Sequence, residues 1–429
     1  MADKDFLVKT VGHYKRDNEM NVTPNVYPKQ LNANYKNFQA KIAAAQNHDI
    51  RNHCLPLTTF KAVDNGNLEN YFESLLNYIA QKGFHGSKPQ FVTNKQLLGH
   101  VAANTLWEKV FILRYMDVIF MSVEKFERKD PSEEDTQKTK EWRAKKEMAY
   151  TTGANFYHLL TREAADEVLP TDFSTSSCKA VLKFGVVAGR NQEIVFYSGE
   201  IDAIDENKRH VDLKAIIRGT GEFYFWKRHI CEYYWKMFFG NCRFMLVGDR
   251  TGAKLEKGEK AYKDKKTGRL KIKGTGEPVD LRTGPIMYLP PHSLYDIEKI
   301  PLDDVFNKLE EAKKREVQKI ERIESASGEK VKKQPFKEWT VKEGLQNVCS
   351  FLNIAQNMCP NNGDSAVIRL TKATDEDGTV RQSWEKEESD EKQSDFDEFK
   401  KLVMEKMDDW DIKFGSGESL PQQFDDLNI

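Results

Sequence analysis

Apolar residues recur at helical spacing over 68–80, where Leu68, Phe72, Leu75, Leu76 and Ile79 share one face. The stretch 91–124 is dense in β-branched and aromatic residues, and two alternating apolar runs within 107–123 predict strands. A charged helix is predicted over 127–147, followed by a helix over 148–160 that packs on a sheet. Strands are predicted over 180–187 and 193–217. The aromatic run 223–239 fits a helix whose buried stripe is Trp226, Ile230, Tyr234 and Phe238. His229, Glu232, Tyr233 and Lys236 fall on its other face. A short strand over 243–248 follows, then helices over 302–323, 345–358 and 396–410. Strands flanked by helices predict an α/β (α+β) fold with a mixed central sheet.

The chain has 429 residues, 39% hydrophobic, enough to bury a large core. No repeat or Ser/Gly linker divides it. The expected organisation is a polar N-terminal extension over 1–50, a single domain over 51–395 with charged insertions at 254–280 and 302–335, and an acidic helix and tail over 396–429. Lys and Arg number 66 against 67 acids, so the net charge of −1 argues neither for nor against a polyanion. A basic surface must therefore be local, and 254–273 carries nine Lys or Arg against three acids. Such a tract is more often a solvated loop than an RNA contact. Cys54, Cys178, Cys231, Cys242, Cys349 and Cys359 show no Cys-x-x-Cys spacing. That argues against a structural zinc site and a disulfide framework. No secretory signal and no membrane-length apolar run is visible. The expectation is an intracellular protein, in cytoplasm or nucleus, with no membrane partner.

The chemistry concentrates in Ser198-Gly199-Glu200-Ile201-Asp202 and Val211-Asp212-Leu213-Lys214. Residues i and i+2 of a strand share a face. The intervening Asp205 to Arg209 suits a hairpin loop. A hairpin centred on Asn207 would set Asp202 opposite Asp212 and Glu200 opposite Lys214, with all four on one surface. Facing carboxylates repel unless a hard divalent cation sits between them. A neighbouring Lys then stabilises developing phosphate charge. An ordinary exposed strand face carries the same short patterns often enough that context must decide.

The context is an ordered set of strings. Residues 196–205 (Phe-Tyr-Ser-Gly-Glu-Ile-Asp-Ala-Ile-Asp), Val-Asp-Leu-Lys at 211–214, an aromatic helix, and Phe-Met-Leu-Val-Gly-Asp-Arg at 244–250 together resemble the DXO decapping exoribonuclease family. Phe-Val-Thr-Asn-Lys at 91–95, the strand pair over 107–124 and the helix over 339–356 resemble further family segments. The resemblance runs in patches from about 55 to about 390. It implies the restriction-type acid-x-Lys nuclease core. It also implies Mg²⁺ or Mn²⁺ as cofactor and action on incomplete, NAD or triphosphate RNA 5′ ends by metal-assisted phosphodiester hydrolysis. Some family members bind a 5′→3′ exoribonuclease, so such a partner is implied too. Oligomeric state is left open.

Carried over by position, the metal ligands would be Glu200, Asp202, Asp212 and Leu213. Asp202 and Lys214 would be catalytic. Asn94, Lys95, Lys214 and Lys236 would bind substrate. Several positions depart from the family. Asp212 replaces Glu, and Asn94-Lys95 replaces Trp-Arg. Tyr157 stands where Gly153-x-x-x-Glu would place a metal carboxylate, and Lys236 stands for Gln. A phenol is neutral and a poor Mg²⁺ ligand. The family pattern is net negative, whereas Glu200, Asp202 and Asp212 balance Lys95, Lys214 and Lys236 here. Three functions stay open at this point: an active nuclease working slowly or with one metal, an inactive binder of RNA 5′ ends or nucleotides, and an interaction protein.

Overall fold

The computed structural model describes residues 6–32, 36–37, 55–59, 69–105, 109–124, 136–161, 178–186, 194–221, 223–252, 261–263, 270–272, 292–327, 330, 336, 338–374, 380–387 and 393–414. Its first half contains β1 (Phe6–Arg16), β2 (Val22–Pro24), β3 (Leu55–Pro56), α1 (Glu73–Lys82), β4 (Phe91–Asn94), α2 (Lys95–Ala103), β5 (Lys109–Tyr115), β6 (Val118–Val123) and α3 (Gln137–Thr161). The middle supplies β7 (Cys178–Val186), β8 (Ile194–Glu200), β9 (Ala203–Ile204), β10 (His210–Ile217), α4 (Phe223–Arg228), α5 (Ile230–Phe239) and β11 (Cys242–Arg250). Then follow β12 (Ala261–Lys263), β13 (Leu270–Ile272), β14 (Ser293–Pro301), α6 (Val305–Ser327), α7 (Val341–Met358), β15 (Ser365–Thr374), β16 (Val380–Lys386) and α8 (Gln393–Phe414).

Two sheets carry the architecture. The larger runs β16-β15-β5-β6-β4-β8-β7-β1-β2, and the smaller β3-β14-β11-β10-β9. Both mix parallel and antiparallel pairs: β4 is parallel to β6 and β8, and β10 is parallel to β11. Side-chain alternation divides the core into layers. Val195 and Tyr197 of β8 face the central cluster with α2, α5 and α7, while Phe196 points to the opposite cluster. Met245 and Val247 of β11 join that central cluster, and Phe244 and Leu246 face α3 on the far side. The smaller sheet thus lies beyond the helices on one face of the larger one, and α1 and α8 cover its other face.

The predicted aromatic stripe holds: Trp226, Ile230, Tyr234 and Phe238 are all buried in the central cluster. The helix is interrupted at His229, which separates α4 from α5. The two helices predicted over 127–147 and 148–160 are one continuous α3 from Gln137 onward. Residues 95–103, within the strand-rich stretch, form α2 instead. The Asn94 side-chain oxygen accepts from the Leu97 N–H (2.8 Å) and starts it, as an N-cap does.

The N-terminal stretch, expected to be a loose arm, supplies two strands of the large sheet. β1 pairs with β7, and its Tyr14 is fully buried. Likewise Phe396, Phe399, Val403 and Met407 of α8 pack into the cluster beside α1, so this helix is integral to the fold. In α6, Val305, Leu309 and Ala312 enter the central cluster, while Val317 and Ile323 are exposed. Most of the basic insertion, including its Thr267-Gly268 tip, lies outside the described residues, as does Trp107. The described residues within the insertion pair as the β12–β13 ribbon. No described helix is long and apolar enough to cross a membrane.

Candidate active site

The hairpin forms in the register expected from the loop. Ala203 pairs with Val211 and Ile204 with His210. Asp205 fixes the turn: its Oδ1 accepts from the N–H groups of Asn207 and Arg209 (both 2.9 Å), and its Oδ2 accepts from Arg209 Nε (2.8 Å). One step beyond the ladder, Asp202 Oδ2 accepts from the Leu213 N–H (2.7 Å).

Here the Lys214 ammonium gathers three oxygens. It donates to Asp212 Oδ1 (2.7 Å), to the Leu213 carbonyl (3.1 Å) and to Asp202 Oδ2 (3.3 Å). All three belong to residues anticipated as metal ligands. The other Asp212 oxygen, Oδ2, is buried without a hydrogen-bond partner. Solvent still reaches the cluster from one side, since 32% of the Asp202 side chain and 22% of Lys214 are exposed, against 9% of Asp212.

Electrostatics divides the two acids. Burial would raise the Asp202 carboxyl, but the Lys214 ammonium, the Leu213 N–H and Lys95 outweigh it and hold Asp202 below its ordinary range. Burial lifts Asp212, the neighbouring Asp202 charge adds to this, and Lys214 only partly opposes it. For Lys214 the two carboxylates overcome the cost of burial, so the group stays firmly protonated. The cluster of Asp202, Asp212 and Lys214 carries one net negative charge when both acids are ionised, which Lys95 balances.

Glu200 departs from the expected geometry. It ends β8 in the larger sheet, opposite Lys179 of β7, whereas Asp202 leads into β9 of the smaller sheet. The chain changes sheets between them, with Ile201 buried in the central cluster. The pairing of Glu200 with Lys214 therefore does not form. The Glu200 carboxylate is 60% exposed and lies 3.8 Å from the Arg16 guanidinium. Arg16 and Lys179 both approach Glu69 as well. Burial, partly offset by Glu200, draws the Lys179 amine down to about 7.

Lys95 begins α2 and crosses to β8, where its ammonium donates to the Glu200 carbonyl. Gly199 permits this approach, because a Cβ there would lie 2.5 Å from Lys95 Cβ. Asn94 is engaged as the helix cap. Lys236 pairs with Glu232 one turn earlier (2.6 Å) and lies 5.7 Å from the Tyr233 ring centre. Lys214 approaches the same ring at 5.8 Å. Sequence reasoning placed Tyr233 on this face of the helix but not in the site; only its i−3 spacing from Lys236 pointed there. Tyr157 lies on α3, half-buried beside the cluster that includes Val211, Leu213 and Phe244. The helix bearing Gly153 thus packs on the strands that bear Asp212, and a Cβ at Gly248 would strike Phe156.

The donor chemistry fits one hard divalent ion. Two carboxylates and a carbonyl, with water or phosphate completing the shell, are a usual Mg²⁺ complement. The unpartnered Asp212 Oδ2 adds a donor already stripped of water. The same set does not serve a second ion: Glu200 ends a strand of the other sheet with its carboxylate 3.8 Å from Arg16, and Tyr157 is a phenol. Among the described residues, no group of three or more His, Cys, Asp or Glu side chains is placed to hold a metal.

No protein-family model matches the sequence, and no curated protein does. Solved structures do match by shape. Rai1 from Scheffersomyces stipitis aligns with TM-score 0.55 and 11% identity over 94% of this chain and 95% of its own. The same protein in complex with (3′-NADP)⁺ and calcium ion gives 0.53 and 12% over 93% and 95%. Candida albicans Rai1 in complex with pU5-Mn²⁺ gives 0.52 and 10% over 94% and 97%. The mixed α/β fold of two sheets is shared with these structures. More particularly, it is the Rai1 fold over almost the entire chain.

Proposed function

We propose that this chain is a divergent member of the DXO family that engages RNA 5′ ends and hydrolyses a phosphodiester there with the help of one Mg²⁺ or Mn²⁺. The observation that carries this reading is the convergence of Asp202, Asp212 and the Leu213 carbonyl on a single cationic position. Those oxygens would hold the ion, which when bound supplies Lewis-acid stabilisation of phosphate charge. Asp202, held below its ordinary range by its neighbours, is the more readily ionised of the two acids. Lys214 and Lys95 offset the charge of a 5′ phosphate, and Lys236, near the same Tyr233 ring as Lys214, adds a third ammonium. The Lys214 ammonium and the ion compete for the same oxygens, so hydrolysis is expected to be slow and to need millimolar metal. The ligands named for the Rai1 structures, pU5 with Mn²⁺ and (3′-NADP)⁺, support phosphorylated and NAD-type RNA 5′ ends as substrates, and the family resemblance extends the proposal to incomplete and triphosphate ends.

The test is turnover of NAD-capped and 5′-triphosphate RNA in Mn²⁺. Product is expected from the wild type and none from Asp202→Ala. Tyr157→Glu combined with Lys236→Gln is expected to raise the rate. A second reading has its own support: Lys214 already satisfies the three oxygens, and the carboxylate expected at 157 is a phenol. On that reading the site binds RNA ends without hydrolysing them, and RNA would be retained with no product at any metal concentration.

A further inference from the structure

The face of α4 and α5 that leads away from Lys214 carries a row of rings that starts at Tyr233 in the site and continues beyond it. Tyr233 has both the Lys214 and the Lys236 ammonium groups near its ring, at 5.8 and 5.7 Å from its centre. His229 stacks on Tyr233, with centroids 5.7 Å apart and planes 14° from parallel. Tyr224 meets His229 edge-on at 5.6 Å and is 63% exposed. The helix break at His229 carries the row past the end of α5. Burial lowers the His229 pKa, with Glu232 partly opposing, so its imidazole is neutral at physiological pH and offers an uncharged aromatic face. Cations flank the row: Lys214 and Lys236 at its inner end and the exposed Arg228 next to His229. Glu232, the acid within it, is already paired with Lys236.

We propose that Tyr233, His229 and Tyr224 form a nucleobase-stacking track for the single-stranded RNA that follows the 5′ phosphate. This rests on the RNA-end reading and extends it from phosphate capture to the recognition of unpaired bases. Rings interleaved with ammonium and guanidinium groups are what sequence-tolerant single-strand binding requires: every base has a π face, and every linkage a phosphate. A folded protein surface gains little from leaving Tyr224 largely in solvent, whereas a base laid on it would cover it. Duplex RNA cannot use the track, because its bases are already stacked on each other.

The experiment compares two fluorescent probes in Ca²⁺: a 5′-monophosphorylated six-nucleotide RNA and an abasic ribose-phosphate strand of equal length and charge. The wild type is expected to bind the base-bearing strand at least tenfold more tightly. Tyr224→Ala with His229→Ala is expected to remove most of that preference, Tyr233 alone remaining, while leaving affinity for the abasic strand unchanged. Tyr224→Phe with His229→Phe is expected to restore it. Tyr224→Ala alone, at a mostly exposed position, is expected to lose several-fold in affinity for the base-bearing strand with no change in thermal unfolding. Equal binding of both strands by the wild type, or a preference undiminished in the double alanine variant, overturns the track while phosphate capture stands. Failure of both strands to bind overturns the track and the RNA-end reading together.

Discussion

At the residue scale, Lys214 does two jobs that pull against each other. It neutralises Asp202 and Asp212, and it occupies the place where a divalent ion would bind. Removing it leaves two facing carboxylates, one of them largely buried. Lys214→Gln is therefore expected to cost about 2 kcal/mol of stability at pH 7, at the low end for a broken pair because the cluster is partly solvated. Urea denaturation checks this. Millimolar Mn²⁺ is expected to return most of that stability to the variant while adding little to the wild type. The Asp212 and Lys214 side of this cluster was legible in the sequence, because i and i+2 of a continuous strand must share a face. Asp202 was legible because the loop fixed the register. Glu200 was not, since the alternation argument assumes an unbroken strand and the chain changes sheets at Ile201. No local pattern announces such a crossing.

At the element scale, packing against α5 decides the helices around the site. Gly344 of α7 lies against Trp235, where a Cβ would sit 1.9 Å from the ring. Trp235 is buried and cannot retreat. Gly344→Ala is expected to destabilise by about 3 kcal/mol, against about 1 kcal/mol for Thr340→Ala, which removes only the capping-box contact at the start of α7. Thermal unfolding of the two variants side by side tests the ranking. The apolar stripe of α4 and α5 was readable from the sequence because four large residues recur at helical spacing. The α2 helix was hidden. Its nine residues lie within a region whose β-branched and aromatic content is set by the strands on either side, and its start is signalled only by Asn94.

At the scale of the whole molecule, the two sheets meet through a pair of histidines. His13 of β1 and His210 of β10 approach through their Nε2 atoms at 2.8 Å, and His210 Nδ1 lies 2.7 Å from the Gly240 carbonyl. Burial first, and then His210, draws His13 down from 6.5 to about 4. Between those values the unfolded chain binds more protons than the native one. This contribution, about 3 kcal/mol in full, is present above pH 6.5 and is lost as pH falls towards 4. Stability of His13→Gln, measured by urea denaturation across that range, is expected to fall less steeply with acid than that of the wild type. An unchanged slope would show that the seam does not titrate. The N-terminal strand that brings His13 here was not readable, because its polar residues resemble a loose arm until the edge of the large sheet is supplied by β7. The mixed α/β architecture was readable, since alternating strand and helix patterns recur along most of the chain.

The most direct measurement is Mn²⁺ binding to the intact protein by electron paramagnetic resonance. One ion per chain is expected in the wild type, and none in the Asp202→Ala, Asp212→Ala double variant. Two ions in the wild type, no binding at all, or one ion retained by the double variant would contradict a single cation position built from these oxygens.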